Sequence, residues 1–383
     1  MNIAIFTDTY LPQINGVVTS TVAFMSELEK RGHKITILCP KVEGATESTD
    51  NVWRFSSLKF PFQPEYRITL PLSKKLLELR KQNIDIIHAQ TPFAMGYTAQ
   101  FFGKLLKIPV VHTYHTFFAE YIHYIPLASK DMLKNWAKYE SKRFCNHCAH
   151  LIVPSDPMKD KLIEYGITAP IDVIPTGINM NYTTNLESIG AFKLSHGIPS
   201  DKRILTYVGR LAQEKNVAFL LESFQRIHQA LPNTFLVIIG GGPEQVAMEA
   251  QAQTLGIQNA VKFLGYLPYE SVFSGLQAAE LLLFPSKTET QGLTLLESLA
   301  VGTPAVCIDA MGVKDILKNN QGGFLAQDSI DDYSQKAIDI LTDTSLHMSK
   351  VREALARASE YSIEKMTDKL ESLYVSTIQK GVK

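Results

Sequence analysis

Two glutamates in the last third of the chain have a spacing that suits the binding of a hydroxyl-rich phosphate compound. Glu289 and Glu297 are separated by seven residues that include Gly292-Leu293-Thr294, and they follow the apolar run 281–284. This order predicts a buried strand, a turn and the first turns of a helix. A helix start suits a phosphate, and an ionised carboxylate accepts hydrogen bonds from paired hydroxyls. The pattern therefore fits a ligand with phosphate in the middle and hydroxyls at both ends, such as a sugar nucleotide.

Three further segments lie at the ends of expected strands. They are Gly209-Arg210 with Glu214-Lys215-Asn216 downstream, the opening Phe6-Thr-Asp-Thr-Tyr-Leu-Pro-Gln-Ile-Asn-Gly16, and His112-Thr-Tyr-His115. With the two glutamates, and in the expected order along nearly the whole chain, they resemble the retaining GT-B glycosyltransferases of family 4. Residues 7–12, 15–18 and 114–124 are most similar to the diacylglycerol glucosyltransferases of that family. The resemblance implies an α/β fold of the GT-B class, with two doubly wound Rossmann-like domains facing a cleft.

The resemblance also implies roles for individual residues. Glu297 matches the carboxylate that binds the ribose hydroxyls, and Glu289 and His115 match residues beside the transferred sugar. Arg210 and Lys215 match cations that stabilise the departing diphosphate. The remaining expected contacts are Gly16, Gly241, Gly265, Tyr266, Leu267, Gly292, Leu293 and Thr294 for the donor, and Asp8, Tyr10 and Asn15 for the acceptor. The alternative is that these residues bind no ligand. Each glutamate would then stabilise a helix start, Lys215 would cap a helix and Arg210 would be an ordinary surface residue.

Two other patterns invite different chemistry but do not support it. Gly240-Gly-Gly-Pro243 follows an expected strand, yet it is not G-x-G-x-x-G and lacks an identifiable acidic partner, which argues against a dinucleotide site. Cys145-Asn-His147-Cys148-Ala-His150 lacks the second ligand pair that zinc sites usually have. We therefore expect no metal, and no cofactor other than the sugar nucleotide that serves as substrate.

The first loop departs from the pattern of some members of the family. Those members carry Lys-x-Gly-Gly, where this chain has Gln13-Ile-Asn15-Gly16, so a diphosphate contact there would rest on the Gly16 backbone.

Short apolar runs alternate with amphipathic helical segments along the chain, which predicts parallel sheets covered on both faces. The expected strands form two series, separated by a stretch rich in Gly, Pro, Ser and Asn between residues 175 and 200. The predicted domains are 1–180 on the acceptor side and 181–361 on the nucleotide-sugar side. The resemblance implies that a terminal helix over residues 362–383 packs back on the first domain.

The composition limits the function and the location. Lys and Arg total 38, as do Asp and Glu, and this balance argues against nonspecific binding of nucleic acid. The opening apolar run ends at Thr7-Asp8, unlike a secretory signal, and no apolar run approaches the roughly 20 residues that span a bilayer. We therefore expect a cytoplasmic protein, with at most a peripheral contact at the inner face of the cell membrane.

The acceptor is the part of the function that the sequence determines least. Residues 58–83 combine aromatic side chains with Lys59, Arg67, Lys74, Lys75, Arg80 and Lys81. Such a segment could seat on an anionic bilayer, but a solvated helix face with a loop would have the same composition. The resemblance implies transfer of glucose from UDP-glucose to a lipid hydroxyl, such as that of diacylglycerol. The alternatives are another sugar nucleotide with a soluble acceptor, a nucleotide-sugar epimerase, and a noncatalytic module that binds the donor.

Overall fold

The computed structural model describes residues 1–13, 15–45, 51–60, 63–69, 78–116 and 130–381. Residues 1–177 together with 363–383 form one compact unit, and residues 178–362 form the other. The domain limits expected from the sequence, at 180/181 and 361/362, differ from these by three residues and one residue. Residues 58–83 and 114–124, which the sequence links to a lipid acceptor, are described only in part. Residues 61–62, 70–77 and 117–124, which include Lys74 and Lys75, lie outside the described residues.

The strands and helices are numbered separately in chain order. The strands are β1 (Asn2–Phe6), β2 (Lys34–Pro40), β3 (Val52–Phe55), β4 (Ser57–Phe60), β5 (Gln63–Thr69), β6 (Ile86–Ala89), β7 (Val110–Thr113), β8 (His150–Val153), β9 (Ile171–Val173), β10 (Arg203–Val208), β11 (Thr234–Ile239), β12 (Val261–Gly265), β13 (Leu281–Phe284), β14 (Ala305–Ile308) and β15 (Gly323–Ala326). The α-helices are α1 (Gly16–Lys30), α2 (Ala94–Leu106), α3 (Lys130–Cys145), α4 (Asp156–Glu164), α5 (Ile189–Ser195), α6 (Val217–Ala230), α7 (Gln245–Thr254), α8 (Tyr269–Gln277), α9 (Leu293–Ala300), α10 (Val313–Ile316), α11 (Ile330–Thr342), α12 (Thr344–Glu360) and α13 (Ile363–Lys380). Short 3-10 helices cover Leu79–Gln82, Met180–Thr183, Gln213–Lys215 and Lys318–Asn320.

The first unit is built on a parallel sheet with the strand order β3-β2-β1-β6-β7-β8-β9. Every residue of β6, β7 and β8 is buried, as the near-continuous apolar runs predicted, because helices cover both faces of the sheet. One face packs against residues of α2 and α3, and the other against α1 and α13.

The terminal helix α13 belongs to the first unit because its apolar stripe packs, together with α1, on one face of the first sheet. Leu370, Leu373 and Tyr374 are buried with residues of β1, β2 and β6. The Tyr374 hydroxyl is 2.6 Å from His88 Nδ1, and burial holds the pKa of His88 well below its usual value, so this imidazole is neutral. Arg31 donates to Asp368 at 2.7 Å on the exposed side of the same contact.

The second unit is built on a parallel sheet with the order β12-β11-β10-β13-β14-β15. Two apolar clusters, one on each face, lie between this sheet and helices α5 to α12. In both sheets the strand order reverses beside the first strand, between β1 and β6 and between β10 and β13. Open α/β sheets bind ligands at the carboxyl ends of the strands at such a switch point.

The sequence pattern did not predict β3, β15 or the β4–β5 hairpin. Strands β3 and β15 lie at the edges of their sheets, and two of the four residues in each are only half-buried, so their sequences need not show the fully buried pattern of a central strand. The hairpin is antiparallel and pairs Ser57 with Thr69. Among the described residues, no helix combines the length and the apolar character that crossing a membrane requires.

Candidate active site

The predicted cations and carboxylates of the second unit gather at the switch point of its sheet. Arg210 follows the end of β10 by two residues, and Glu289 lies in the loop that follows β13. Lys215 ends the 3-10 helix before α6, and Glu297 lies in α9. Neighbouring parallel strands bring their carboxyl ends to one sheet edge, so segments far apart in sequence meet here.

Each predicted cation is paired with a carboxylate. Lys215 Nζ donates to Glu289 Oε1 at 2.5 Å, and Arg210 Nη2 donates to Glu214 Oε1 at 2.5 Å. The Glu214 side chain is 6% exposed, so it holds the guanidinium from the protein side through a charge-assisted hydrogen bond. Cations fixed in this way need little reorganisation when negative charge develops on a leaving group.

Glu297 is a buried carboxylate with one identified partner from another helix. The hydroxyl of Tyr269, the first residue of α8, donates to Glu297 Oε1 at 2.8 Å. Burial raises the pKa of Glu297 to about 7, although the Tyr269 hydrogen bond acts in the opposite direction. The rings of Tyr182 and Phe273 hold Tyr269 in edge contacts, with centroids at 5.0 and 5.3 Å. No sequence motif points to Tyr269, because only packing brings the start of α8 beside α9.

The glycine-rich turn after β11 joins three strand-end loops. Leu211 N–H donates to the Gly241 carbonyl at 3.0 Å, and Gly240 N–H donates to the Gly265 carbonyl at 2.7 Å. The Tyr266 hydroxyl also donates to the Gly241 carbonyl, at 3.0 Å. Gly241, Gly265 and Tyr266 therefore hold these loops together, and their predicted contacts with the donor remain predictions. Leu267, the fourth predicted residue of this group, packs at the edge of the core.

Gly292 begins the helix that carries Glu297. Its φ of 97° is left-handed, which favours glycine, and the chain enters α9 directly, with Leu293 and Thr294 as the first two helical residues. The predicted helix start between the two glutamates is therefore present.

The switch point of the first unit holds Asp8, a predicted acceptor residue. Its carboxylate accepts hydrogen bonds from Thr91 Oγ1 at 2.6 Å, from Thr69 Oγ1 at 3.2 Å and from Met95 N–H at 3.2 Å. Met95 is the second residue of α2, so Asp8 caps that helix from the end of β1. Burial raises the pKa of Asp8 to about 6, and these hydrogen bonds oppose the shift.

The other predicted residues near β1 also have structural contacts. Tyr10 is buried in the core, with the Arg54 guanidinium 5.8 Å from the centre of its ring. Asn15 is the N-cap of α1, because its Oδ1 accepts from Val18 N–H at 3.0 Å, and Gly16 is the first residue of that helix. Their predicted contacts with acceptor or donor remain predictions.

His115 lies two residues beyond β7, at the same sheet edge. Its Nε2 is 2.6 Å from Gln90 Oε1, which follows the end of β6. Burial lowers the pKa of His115 to about 3, and the nearby His112 adds to the shift, so the imidazole is neutral at physiological pH. With Nε2 donating to Gln90, Nδ1 is the acceptor atom of this ring.

The cysteine and histidine residues near the end of α3 have partners within the fold. Cys145 and Cys148 are buried, and His147 Nδ1 lies 2.7 Å from the Arg143 carbonyl. His150 lies 3.0 Å from Asp172. Within the described ranges, no three His, Cys, Asp or Glu side chains are grouped so that they could hold a metal ion.

Two protein-family models match the chain in succession. The model described as Glycosyltransferase Family 4 matches residues 14–182, and the model described as Glycosyl transferases group 1 matches residues 189–362. The chain is also 34% identical, over 333 residues, to the alpha-monoglucosyldiacylglycerol synthase of Streptococcus pneumoniae, covering 85% of this chain and 75% of that protein. This chain is a family 4 glycosyltransferase.

Relatives of this glycosyltransferase differ in the substrates that their names give. The GDP-mannose-dependent alpha-mannosyltransferase of Corynebacterium glutamicum is 27% identical over 333 residues, covering 85% of this chain and 76% of that protein. Among solved structures, the sucrose-phosphate synthase of Thermosynechococcus elongatus superposes with a TM-score of 0.79 at 17% identity, covering 99% of both chains. Two Rossmann-like units with parallel sheets and this structural similarity establish the predicted GT-B fold.

Tyr269 offers a test of the Glu297 environment in this glycosyltransferase. Glu297 is predicted to bind the ribose hydroxyls of the donor, for which UDP is the predicted nucleotide. Tyr269→Phe removes one hydrogen bond to this carboxylate, worth about 0.5–1.5 kcal/mol, so we expect UDP to bind roughly two- to tenfold more weakly. The pH midpoint of UDP binding should also move upward, because the lost hydrogen bond favoured the ionised form. Calorimetry across pH 6–9 measures both effects. Tyr182→Phe, which keeps the ring packing, is the control. An unchanged pH midpoint in Tyr269→Phe would contradict the prediction that Glu297 binds the ribose hydroxyls.

Gly312 positions the loop that carries Glu289, and the sequence did not single it out. Its N–H donates to the Glu289 carbonyl at 2.9 Å, and a Cβ there would lie 2.3 Å from the Thr290 carbonyl oxygen. Gly312→Ala must displace this loop. Glu289 is predicted to lie beside the transferred sugar, and a misplacement of about 1 Å can cost roughly 10²-fold in rate, so we expect kcat/KM for transfer to fall at least about tenfold. Gly190→Ala is the control, because a Cβ at Gly190 has no heavy atom within 4 Å. Equal activity of both variants, measured with matched melting temperatures, would show that the loop position is unimportant.

Proposed function

We propose that this glycosyltransferase transfers a hexose, with retention of configuration and without a metal ion, from a sugar nucleotide to a hydroxyl group of a lipid. The donor is UDP-glucose and the acceptor is diacylglycerol. The observation that carries the donor part is the paired array Lys215–Glu289 and Arg210–Glu214 at the switch point, beside the buried Glu297. The name of the 34% identical relative supports glucose and diacylglycerol.

Each charged group of the array has a distinct part in the proposal. Glu297 accepts hydrogen bonds from the two ribose hydroxyls of the donor. Glu289 faces the hydroxyls of the transferred sugar, and Lys215 and Arg210 stabilise the diphosphate as it leaves. Because these cations supply the positive charge that a metal ion would otherwise provide, activity should not require a divalent cation.

The proposed reaction replaces one bond at the anomeric carbon. The bond from that carbon to the β-phosphate oxygen breaks, and the acceptor hydroxyl oxygen bonds to the same face of the sugar. The acceptor proton goes to the departing diphosphate, which is therefore both leaving group and base. His115, which is neutral, is suited to a hydrogen bond with a sugar hydroxyl and not to charge stabilisation.

A donor panel tests this proposal. UDP-glucose, UDP-N-acetylglucosamine and GDP-mannose are each supplied with and without diacylglycerol vesicles, and both hydrolysis and lipid product are measured. Of the three donors, we expect only UDP-glucose to support transfer, and only when diacylglycerol is present. NMR should show that the product is α-linked. Hydrolysis of GDP-mannose in place of UDP-glucose, without a lipid product, would point to the alternative transferase with a soluble acceptor. Interconversion of UDP-sugars without acceptor would indicate an epimerase, and binding without turnover would indicate a noncatalytic module.

A further inference from the structure

The imidazole of His115 has one hydrogen-bond partner among the described residues, the side chain of Gln90. Gln90 is the first residue after β6 and is buried, and its backbone N–H donates to the Phe6 carbonyl at 2.8 Å. Its Oε1 lies 2.6 Å from His115 Nε2. Gln90 is therefore held at the switch point of the first sheet, and its amide reaches the residue that lies two positions beyond β7.

The backbone that carries His115 is fixed by neighbouring strands. Tyr114 N–H donates to the Ile152 carbonyl of β8 at 2.8 Å. On the β6 side, His88 Nε2 lies 2.7 Å from Thr113 Oγ1. These contacts set the position of the chain at the end of β7, but they do not set which nitrogen of the imidazole carries the proton. That choice depends on what the ring itself contacts.

An amide oxygen affects an imidazole differently from a carboxylate. A carboxylate at this distance would favour the imidazolium, in which both ring nitrogens are donors. The neutral Oε1 of Gln90 only accepts, so it favours the neutral ring with its proton on Nε2. Burial lowers the pKa of His115 to about 3, with a further contribution from His112, so the ring stays neutral. Nδ1 is thereby left as a hydrogen-bond acceptor.

We propose that Gln90 is a positioning residue that fixes His115 as the Nε2–H tautomer, so that Nδ1 accepts a hydrogen bond from a hydroxyl group of the transferred sugar. The inference rests on the proposed function for the place of His115 beside the sugar, whereas the tautomer itself depends on no donor. Its consequence is a specificity, because the sugar must donate a hydrogen bond at this position. A group that only accepts, such as fluorine or a carboxylate, cannot replace the hydroxyl.

The tautomer is measured without donor, by long-range ¹H–¹⁵N NMR spectra of the full chain labelled at histidine. The chain has ten histidines, and the His115 signal is identified by its loss in His115→Asn. In wild type at pH 8, Nε2 should be the protonated nitrogen and Nδ1 the unprotonated one. A proton on Nδ1 in wild type would overturn the proposal.

Two substitutions at Gln90 separate its hydrogen bond from its packing. Gln90→Met keeps the length of the side chain but removes the acceptor, so His115 should become a mixture of both tautomers. Gln90→Glu is ionised at pH 8 and accepts the same hydrogen bond, so it should restore the Nε2–H tautomer. An unchanged tautomer in Gln90→Met would also overturn the proposal. The melting temperature confirms that each variant is folded.

Kinetics with donor analogues tests the contact with the sugar. The nucleotide sugar that the donor panel identifies is used, and each hydroxyl of its hexose is replaced in turn by hydrogen and by fluorine. At one position, replacement by hydrogen should lower kcat/KM of wild type roughly two- to tenfold, the range for one hydrogen bond, and fluorine should bring no recovery through His115. If no position shows this loss, Nδ1 does not bind a sugar hydroxyl and the proposal is wrong.

The decisive comparison is the ratio of kcat/KM for the fluorine and hydrogen analogues at that position. The ratio should be higher in Gln90→Met than in wild type, because the Nδ1–H tautomer can donate to fluorine, and Gln90→Glu should keep the wild-type ratio. The electronic effect of fluorine on the reaction is common to all variants and cancels. Gln225→Met, which removes a partly buried amide hydrogen bond to the Leu255 carbonyl in the second unit, is the matched control and should behave as wild type. Failure of the proposed function would appear as absence of transfer in the panel, and failure of the tautomer assignment would appear in the NMR spectra, so the two are distinguishable.

Discussion

Replacing Arg210 or Lys215 with alanine should lower kcat by about 10²–10³, the range measured when one fixed group that stabilises a transition-state charge is removed. Both cations lie at the switch point, and the contacts with Glu214 and Glu289 fix them there. The loss should appear mainly in kcat, because the diphosphate carries more charge as it departs than in the bound donor. Steady-state kinetics with UDP-glucose and diacylglycerol vesicles measures it, and activity should survive EDTA.

Lys287→Ala is the matched control for Lys215→Ala. Lys287 belongs to the same segment after β13, but it is half exposed and pairs with Asp328 at 2.5 Å on the surface. Removing such an exposed pair should cost at most about 1 kcal/mol of stability and leave kcat unchanged. Turnover retained in the Arg210→Ala, Lys215→Ala double variant, or activity that is lost on chelation and restored by metal, would overturn the metal-free scheme.

Glu297→Ala should weaken UDP binding at least about tenfold, because loss of the ribose hydrogen bonds leaves buried polar groups unpaired at a cost of roughly 1–3 kcal/mol. The same carboxylate should make UDP binding depend on pH. Its pKa is raised to about 7 by burial, so the protonated form increases below pH 7 and has fewer acceptor sites for hydroxyls. Affinity should therefore fall as the pH is lowered from 8 to 6. Glu297→Gln should remove this dependence, and unchanged UDP affinity in folded Glu297→Ala would show that the ribose assignment is wrong.

The raised pKa of Glu297 also has a consequence for stability. A carboxyl group whose pKa is higher in the folded state stabilises the fold when protonated, and this contribution is lost as the pH rises through the folded-state value near 7. Without donor, Glu297→Gln should therefore unfold at a temperature equal to or above that of wild type at pH 8. Thermal unfolding at pH 6 and pH 8 measures this, and a large destabilisation of Glu297→Gln at pH 8 would indicate that the carboxylate is needed for folding.

Sequence patterns were sufficient to predict the two-unit α/β fold, the family and the strand ends that carry the candidate site. The central strand β13 was predicted with its observed limits, because a strand covered on both faces needs a continuous apolar run. The helix start at Gly292 was predictable for a similar reason, since glycine spacing and helix periodicity are local properties of the chain.

Which side chains meet at the site depends on packing between distant segments and could not be predicted from the sequence. Tyr269 reaches Glu297, Gly312 supports the Glu289 loop, and Glu214 holds Arg210 from the buried side. The edge strand β3 depends on pairing with its neighbour β2 more than on its own pattern. Burial likewise sets the protonation of Glu297 and His115. Contacts, desolvation and exposure depend on residues distant in sequence, and periodicity and motif spacing report only on near neighbours.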